Sequence, residues 1–172
     1  MNYKTERLRL RPFTKEDIDI VYEINNHPEC IAFNGWESMS IERCKAVLNR
    51  WISDYKEHPD WGVFCLMSPV DSAKIGMAFV YCHEGDDRYE IGFRLKRDQW
   101  NKGYGSELAR GLIKYCKQTL KAKGVYAEVD TDNIRSCRIF DKLDFEKVSH
   151  PGGGKGYLYS IEFDPTEFNP CG

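Results

Sequence analysis

The sequence lacks an apolar run long enough to cross a membrane. Its longest run, Met77 to Cys82, falls far short of the ~20 residues that a membrane-spanning helix needs. The start of the chain, from Met1 to Arg7, has no apolar segment of the kind that directs secretion. We therefore expect a cytoplasmic protein with no membrane partner.

An excess of charge of either sign is also missing. The chain carries 25 Lys and Arg residues against 27 Asp and Glu residues, which gives a formal net charge of −2. Proteins whose main role is to bind nucleic acid ordinarily have a basic balance or a dense basic stripe. The composition therefore predicts no nucleic-acid partner, and the apolar fraction of 41% predicts a folded core.

Paired cysteine motifs are absent, although the chain has seven cysteines. Their number is odd and no C-x-x-C pair occurs, so neither a disulfide framework nor a zinc site is predicted. The four histidines are scattered, without the spacing of a metal site. Most cysteines fall at apolar positions, where a reduced thiol acts as a small buried hydrophobe. We expect a protein that uses no metal.

No internal repeat, linker or change of composition indicates a second domain. The 172 residues fit one domain with a sizeable core, which we expect at residues 3–164, followed by a C-terminal tail at 165–172. Hydrophobic periodicity predicts a strand, two helices, three strands, a helix, a strand, a helix and two strands, in that order. Hairpins mixed with a β-helix-β-helix-β portion indicate an α/β protein built on a mixed sheet.

The most informative stretch is Gln99 to Glu107, between a strand predicted at Arg88–Lys96 and a helix predicted at Ser106–Lys121. It contains two glycines, Gly103 and Gly105. Glycine lets a backbone approach a ligand closely and adopt positive φ, and the first turn of a helix presents unpaired N–H groups with partial positive charge. Together these features predict a binding site for a phosphate or pyrophosphate.

Neighbouring residues refine this prediction. Lys102 adds a positive charge to the turn, and Glu107 is expected on the solvent face of the helix. Gly92, inside the preceding strand, indicates a bulge or a close backbone approach. The glycine-rich run Pro151–Gly156 does not match a nucleotide P-loop, because Ser149 stands at the first glycine position. It is predicted to be a hairpin loop, and a nucleotide enzyme is disfavoured.

Three segments stand in the order and at the separations of one known family. They are Thr5–Pro12, then Glu90–Leu95 with Trp100–Glu107, then Asn133–Ser136 with Lys142–Phe145. Taken together, they resemble the GCN5-related N-acetyltransferase (GNAT) superfamily, and most closely its branch with the ribosomal-protein N-terminal acetyltransferases RimJ and RimL. Two residues depart from the pattern: Trp100 replaces the usual Gln or Arg, and Asp144 replaces the usual glycine.

The resemblance implies a mixed, mostly antiparallel sheet of about seven strands flanked by about four helices, and acetyl-CoA as the cosubstrate. It also implies that backbone N–H groups of the strand end and of the following loop bind the pantetheine, the acetyl carbonyl and the pyrophosphate. The residues implied in binding acetyl-CoA are Phe93, Arg94, Leu95, Trp100, Asn101, Lys102, Gly103, Tyr104, Gly105, Ser106 and Asn133.

Acetyl transfer to an amine requires the amine to be neutral. An α-amino group has a pKa of about 8 and is largely protonated at neutral pH, so a general base helps. Glu90 is the candidate, because it opens the strand implied to bind the acetyl group and lies on the face opposite Ile91 and Phe93. The alternative is a surface glutamate without a catalytic role.

The leaving thiolate requires a proton or a hydrogen bond. The superfamily's usual tyrosine, seven residues after the Asn, is Phe140 in this chain, which has no proton to give. Ser136, three residues after Asn133, stands where the resemblance to RimL-type enzymes implies a serine hydroxyl that hydrogen-bonds the thiolate. The two residues also fit a helix N-cap and its N3 neighbour, and both interpretations remain open.

These residues predict acetyl-CoA-dependent transfer of an acetyl group to a primary amine, which is either a protein N-terminal α-amine or a small-molecule amine. The alternative is a catalytically silent CoA-binding sensor or assembly domain, since the Asn101–Ser106 loop would serve both. We expect the acceptor site to be built by the first two helices, the segment Phe33–Trp36 and the last hairpin with its Gly152–Gly154 loop. A homodimer is left open.

Overall fold

The computed structural model describes residues 2–33, 35, 37–83, 85–152, 154–164 and 166. The helices among them are α1 (Ile18–Asn26), α2 (Pro28–Ile31), α3 (Ile41–Asp54), α4 (Tyr104–Gln118) and α5 (Ile134–Phe140). The strands are β1 (Tyr3–Lys4), β2 (Arg9–Pro12), β3 (Gly62–Met67), β4 (Lys74–Cys82), β5 (Arg88–Leu95), β6 (Gly124–Asp130), β7 (Glu146–Ser149) and β8 (Gly156–Glu162). Short 3₁₀ turns at Lys15–Asp17 and Arg97–Gln99 precede α1 and the glycine turn.

The described strands form an eight-stranded sheet in the order β1-β2-β3-β4-β5-β6-β8-β7. Strands β5 and β6 pair in parallel, with Glu90 opposite Tyr126. The pairs β1–β2, β2–β3, β6–β8 and β7–β8 are antiparallel. The predicted α/β fold with a mixed, mostly antiparallel sheet is therefore confirmed. The strand that periodicity does not indicate is β1, whose two residues pair with β2.

The chain divides into two compact units, of which the first comprises Met1–Phe79 and Phe93–Leu108. In this unit α3 buries Cys44, Leu48 and Trp51 on one stripe, and the Phe13 ring lies 5.4 Å from the Trp51 ring. The α3 N-terminus is capped by Ser40, whose Oγ accepts a hydrogen bond from the Arg43 N–H at 3.2 Å. The apolar spacing and the cap explain why this segment is helical.

The first unit also contains a buried charge cluster around Asp17, which is 1% exposed. Arg11 donates two hydrogen bonds to the Asp17 carboxylate, at 2.6 and 2.8 Å. The Thr14 N–H donates a third at 2.8 Å, and Lys74 Nζ lies 3.1 Å from Oδ1. Burial opposes ionisation of Asp17, but the hydrogen bonds from Arg11, Thr14 and Lys74 outweigh it and hold its pKa well below the usual range.

The second unit comprises Val80–Gly92 and Ala109–Gly172. Its core includes Tyr159, which is fully buried and whose ring lies 5.4 Å from the Phe140 ring. The Tyr159 hydroxyl donates a hydrogen bond to Asp141 Oδ1 at 2.8 Å, which satisfies its polar atom inside the core. That the two units form one domain, with a core at residues 3–164, stays a prediction, and most of the predicted tail (165 and 167–172) lies outside the described residues.

Four of the cysteines, at positions 44, 65, 116 and 137, are buried free thiols. Burial raises the pKa of Cys65 and of Cys116 to about 12, so both remain protonated at neutral pH and pack as small hydrophobes. No helix in the described part of the chain has the length and apolar character needed to cross a membrane.

Candidate active site

The glycine turn lies in the first unit, between the end of β5 and the start of α4. Asn101 and Gly103 adopt φ of 61° and 81°, in the left-handed region that glycine enters without strain and asparagine tolerates. Helix α4 begins at Tyr104, two residues before the predicted start, so Gly105 belongs to its first turn. The N–H groups of that turn have no acceptor within the helix and follow directly after the left-handed Gly103.

The turn is held by three residues that we call the Glu107 brace: Thr5, Arg7 and Glu107. The Glu107 carboxylate accepts hydrogen bonds from the Thr5 hydroxyl, from the Arg7 N–H at 2.7 Å and from Arg7 Nε at 2.7 Å. Arg7 Nη1 also donates to the Lys102 carbonyl at 3.0 Å, and its guanidinium lies 4.9 Å from the centre of the Tyr104 ring. The brace therefore ties the start of the chain to both sides of Gly103.

The expected position of Glu107 on the solvent face of α4 is wrong. Its side chain is only 11% exposed, because the carboxylate turns back to the Thr5 and Arg7 segment. Burial raises the pKa of Glu107, but the hydrogen bonds from Thr5 and Arg7 outweigh that effect and lower it overall. Glu107 is therefore ionised at neutral pH, and its charge is matched by Arg7.

Other predicted cofactor residues of this unit have partners of their own. The Trp100 indole N–H donates a hydrogen bond to the Leu95 carbonyl at 3.0 Å, which links the two ends of the 3₁₀ turn. Arg94 donates to Asn25 Oδ1 at 3.1 Å, and burial lowers its pKa. Lys102 is exposed and donates to Gln99 at 3.1 Å, so its charge remains near the turn.

A close backbone approach occurs at Gly76 of β4. A β-carbon placed on Gly76 would lie 2.3 Å from the Arg94 carbonyl oxygen and 3.0 Å from the Leu95 α-carbon. Only a residue without a side chain fits there unless the end of β5 moves. This is the strand end whose backbone is implied in binding the acetyl group; the interpretation of Gly92 stays a prediction.

Glu90 lies in the second unit, on β5. Its carboxylate Oε2 is 3.0 Å from His83 Nε2, and its side chain is 22% exposed. Across the parallel pair it lies opposite Tyr126 of β6. Burial, and then the negative charge of Glu90, raise the pKa of Tyr126 to about 12. Glu90 is therefore a partly exposed carboxylate, with a neutral phenol opposite, and His83 is the hydrogen-bond partner found for it among the residues that the structure describes.

Asn133 and Ser136 lie in the second unit at the start of α5. The Asn133 side-chain oxygen accepts a hydrogen bond from the Ser136 N–H at 3.2 Å, so the N-cap interpretation of Asn133 is confirmed; a role in binding CoA stays a prediction. The Ser136 hydroxyl takes no part in this cap and lies at a half-buried position. Phe140 is 3% exposed and packs in the core, as befits a residue that cannot supply a proton.

The acceptor site is described in part. Phe33 is half-buried in the turn after α2, whereas Trp36 and Gly153 lie outside the described residues. No group of three or more His, Cys, Asp or Glu side chains within the described ranges is arranged to hold a metal ion.

Sequence reasoning misses three supporting residues of this site. No local pattern identifies Arg7, because its partner Glu107 is 100 positions away along the chain. Gly76 is one of several strand glycines, and only the pairing of β4 with β5 shows what it faces. A sequence signal was available for His83: it directly follows one arm of a hairpin, β4, whose other arm, β5, carries Glu90.

Strand β5, the braced glycine turn and the start of α4 follow one another in the order that the resemblance to the GNAT superfamily implies. The acetyltransferase (GNAT) domain profile matches residues 7–146, which is most of the chain. The protein therefore belongs to the GNAT acetyltransferase family, whose fold implies acetyl-CoA binding.

Similar proteins agree with this assignment. The uncharacterized N-acetyltransferase YnaD of Bacillus subtilis (strain 168) is 27% identical over 169 residues, which cover 94% of this chain and 96% of YnaD. A GNAT-family acetyltransferase from Bacillus anthracis superposes with a TM-score of 0.82 at 23% identity, over 94% of this chain and 98% of that chain. Spermidine N-acetyltransferase from Vibrio cholerae, in complex with CoA and spermine, gives a TM-score of 0.76 at 15% identity, over 91% and 95%. At these identities the two structures show the shared fold.

Proposed function

We propose that this acetyltransferase moves the acetyl group of acetyl-CoA directly to a primary amine, either a protein N-terminal α-amine or a small-molecule amine. The observation that carries the proposal is the braced glycine turn before α4 in a chain of the GNAT family. The resemblance to the RimJ and RimL branch supports protein N-termini. The shared fold with spermidine N-acetyltransferase supports small amines. We further propose a cytoplasmic location, which the buried reduced thiols support.

In this proposal, acetyl-CoA is bound mainly by backbone groups. The left-handed Gly103 and the first-turn N–H groups, which have no acceptor within the helix, suit a pyrophosphate, and Lys102 contributes positive charge. Trp100 supports the turn through its bond to Leu95, so we assign it a supporting role. Phe93, Arg94 and Leu95 are assigned to the pantetheine and acetyl group through their backbone, and Asn133 to the same ligand. Acetyl-CoA supplies the activated acetyl group when bound.

Glu90 and Ser136 are assigned the two proton-handling roles. The Glu90 carboxylate accepts the proton that the acceptor ammonium must lose before its nitrogen can attack. The Ser136 hydroxyl donates a hydrogen bond to the sulfur as negative charge develops on it. The half-buried positions of both side chains support these roles, because such groups are shielded in part from bulk water and still reach a ligand.

The experiment that tests the function is CoA release from acetyl-CoA across a panel of amines: a peptide with a free N-terminus, spermidine and glucosamine. A thermal-shift assay with acetyl-CoA, ATP and NAD is run beside it. We expect acetyl-CoA, but neither ATP nor NAD, to stabilise the protein, and we expect CoA release with at least one amine. Stabilisation without CoA release for any amine would favour the silent CoA-binding domain, and stabilisation by ATP or NAD instead would contradict the donor assignment.

Replacing Glu107 with glutamine is expected to raise the Kd for acetyl-CoA about fivefold to tenfold, because the charge-assisted bonds to Arg7 weaken and the turn loosens. Isothermal titration calorimetry measures this. The sign is diagnostic, since removing a negative charge near a phosphate site would by itself tighten binding. Glu42→Gln is the matched control, because Glu42 is an exposed acid in the first turn of α3. A Kd that falls or stays constant in Glu107→Gln would contradict the role of the brace.

Replacing Ser136 with alanine is expected to lower kcat about tenfold, because one hydrogen bond to the leaving sulfur is lost, while the Kd for acetyl-CoA stays nearly constant. The helix cap should survive, since Asn133 bonds the backbone N–H of residue 136 and not its hydroxyl. Single-turnover kinetics with calorimetry separate the two effects. Ser149→Ala, on β7, is the control. Normal turnover with a large loss of acetyl-CoA affinity would make Ser136 a binding residue.

A further inference from the structure

His83 is the titratable side chain that contacts the candidate base, and the function assigned above gives it no role. Its Nε2 lies 3.0 Å from Oε2 of Glu90, and its side chain is 58% exposed. His83 follows β4 directly, and its carbonyl accepts a hydrogen bond from the Asp86 N–H at 3.0 Å, which closes the turn toward β5. The hairpin itself therefore places the imidazole against the Glu90 carboxylate.

The charged groups around the His83–Glu90 contact have other partners. From the hairpin and β5, Asp86 and Arg88 pair with each other, with Arg88 Nη2 3.0 Å from Asp86 Oδ2. From β6, the Tyr126 ring lies 6.3 Å from the His83 ring. The Arg88 guanidinium lies 5.6 Å from the centre of the Tyr126 ring. Arg88 is thus engaged by Asp86 and Tyr126. Among the residues that the structure describes, His83 is the hydrogen-bond partner found for the Glu90 carboxylate.

We propose that His83 is a positioning residue for Glu90, an inference that rests on the proposed role of Glu90 as the base. The neutral ring, with its proton on Nε2, donates to Oε2 and fixes the plane of the carboxylate. Oε1 is then left to accept a proton. An N–H bond of the acceptor ammonium breaks, an O–H bond forms at Oε1, and that proton passes to solvent before the next turnover.

The test measures kcat/KM with the best acceptor of the amine panel, for wild type, His83→Gln and His83→Ala. Alanine removes the N–H that donates to Glu90 and is expected to lower kcat/KM about fivefold, the scale of a partly exposed charged contact. Glutamine can still donate an N–H and should restore most of that loss, whereas a merely structural loss of the imidazole ring would not be restored.

Two further variants separate this inference from the proposed function. In a Glu90→Gln background, His83→Ala should have no additional effect, because there is no longer a carboxylate base to position. His150→Gln is the control, since His150 lies 3.2 Å from Glu128 in the same unit and should leave kcat/KM unchanged. An unchanged kcat/KM in His83→Ala, or equal losses in His83→Ala and His83→Gln, with Glu90→Gln impaired, would overturn the role of His83 alone. Full activity in Glu90→Gln would overturn the proposed base and the inference that rests on it.

Discussion

Replacing Glu90 with glutamine is expected to lower kcat/KM for amine acetylation by about 100-fold or more at neutral pH, the usual scale of a general base. Glutamine keeps the size and one acceptor oxygen of Glu90, so the contact with His83 is retained in form. It cannot take up a proton. The acceptor ammonium must then lose its proton to water before it reacts, and the remaining rate should rise with pH as the free amine accumulates.

The measurement is CoA release across a pH series, with calorimetry to show that acetyl-CoA still binds. Glu128→Gln is the matched control, because Glu128 belongs to the neighbouring strand β6, carries a histidine partner of its own and has no assigned role. A near-normal rate and an unchanged pH profile in Glu90→Gln would show that Glu90 is a surface glutamate without a catalytic role. A loss of acetyl-CoA binding would instead show that Glu90 helps to bind acetyl-CoA.

The second large effect is expected on stability. Asp17→Asn should lower the free energy of unfolding by about 3 kcal/mol, the lower end of the range for removing one member of a buried ion pair. The lower end applies because Arg11 remains 22% exposed, so water can solvate part of the charge that is left unpaired. The substitution leaves Arg11 and Lys74 without their shared carboxylate, and urea unfolding monitored by circular dichroism measures the loss.

The same charge cluster predicts how stability depends on pH. The pKa of Asp17 is lower in the folded protein than in the unfolded chain, so the folded state binds the fewer protons there. Its contribution is fully present above the unfolded pKa of about 4 and is lost as the pH falls toward the folded value. The difference in stability between wild type and Asp17→Asn should therefore be constant near neutrality and shrink below about pH 4.

Asp19→Asn is the control for the Asp17 experiment. Asp19 contacts the same lysine, Lys74, but its side chain is 67% exposed, and an exposed ion pair contributes little. A change of less than about 1 kcal/mol is expected. Equal losses of stability in Asp17→Asn and Asp19→Asn would contradict the prediction, because they would show that burial of the Asp17 carboxylate adds nothing to its contribution.

Much of the fold is predictable from sequence because its elements bury one regular face. The stripe of Cys44, Leu48 and Trp51 is enough to identify α3, and the apolar run at 74–82 identifies β4. The start of α4 is less predictable: Tyr104 and Gly105 have the composition of a loop. The N–H groups of a first turn have no partner within the helix, and helix propensity is a weak guide that tertiary contacts override. The helix therefore begins earlier than its amphipathic pattern does.

The residues of the candidate site likewise differ in how far sequence alone predicts them. The glycine turn and the Asn133 cap are local motifs, so sequence alone indicates them. Arg7 and Gly76 depend on which strand lies beside which, and neighbouring residues carry no trace of that pairing. Glu107 is misplaced for this reason: in a helix with Arg110, Lys114 and Lys117, a glutamate is indistinguishable from a solvated charge until Thr5 and Arg7 are brought to it.

The Glu107 brace also bears on the order in which the protein assembles. Its Thr5 contact joins residues 102 positions apart in the chain, and closing a loop of that length costs conformational entropy before the contact can form. Contacts of such long separation slow folding relative to those within a helix or hairpin. We therefore expect the glycine turn to reach its final shape late in folding, once Thr5 has met Glu107, and the proposed acetyl-CoA site to be completed at that stage.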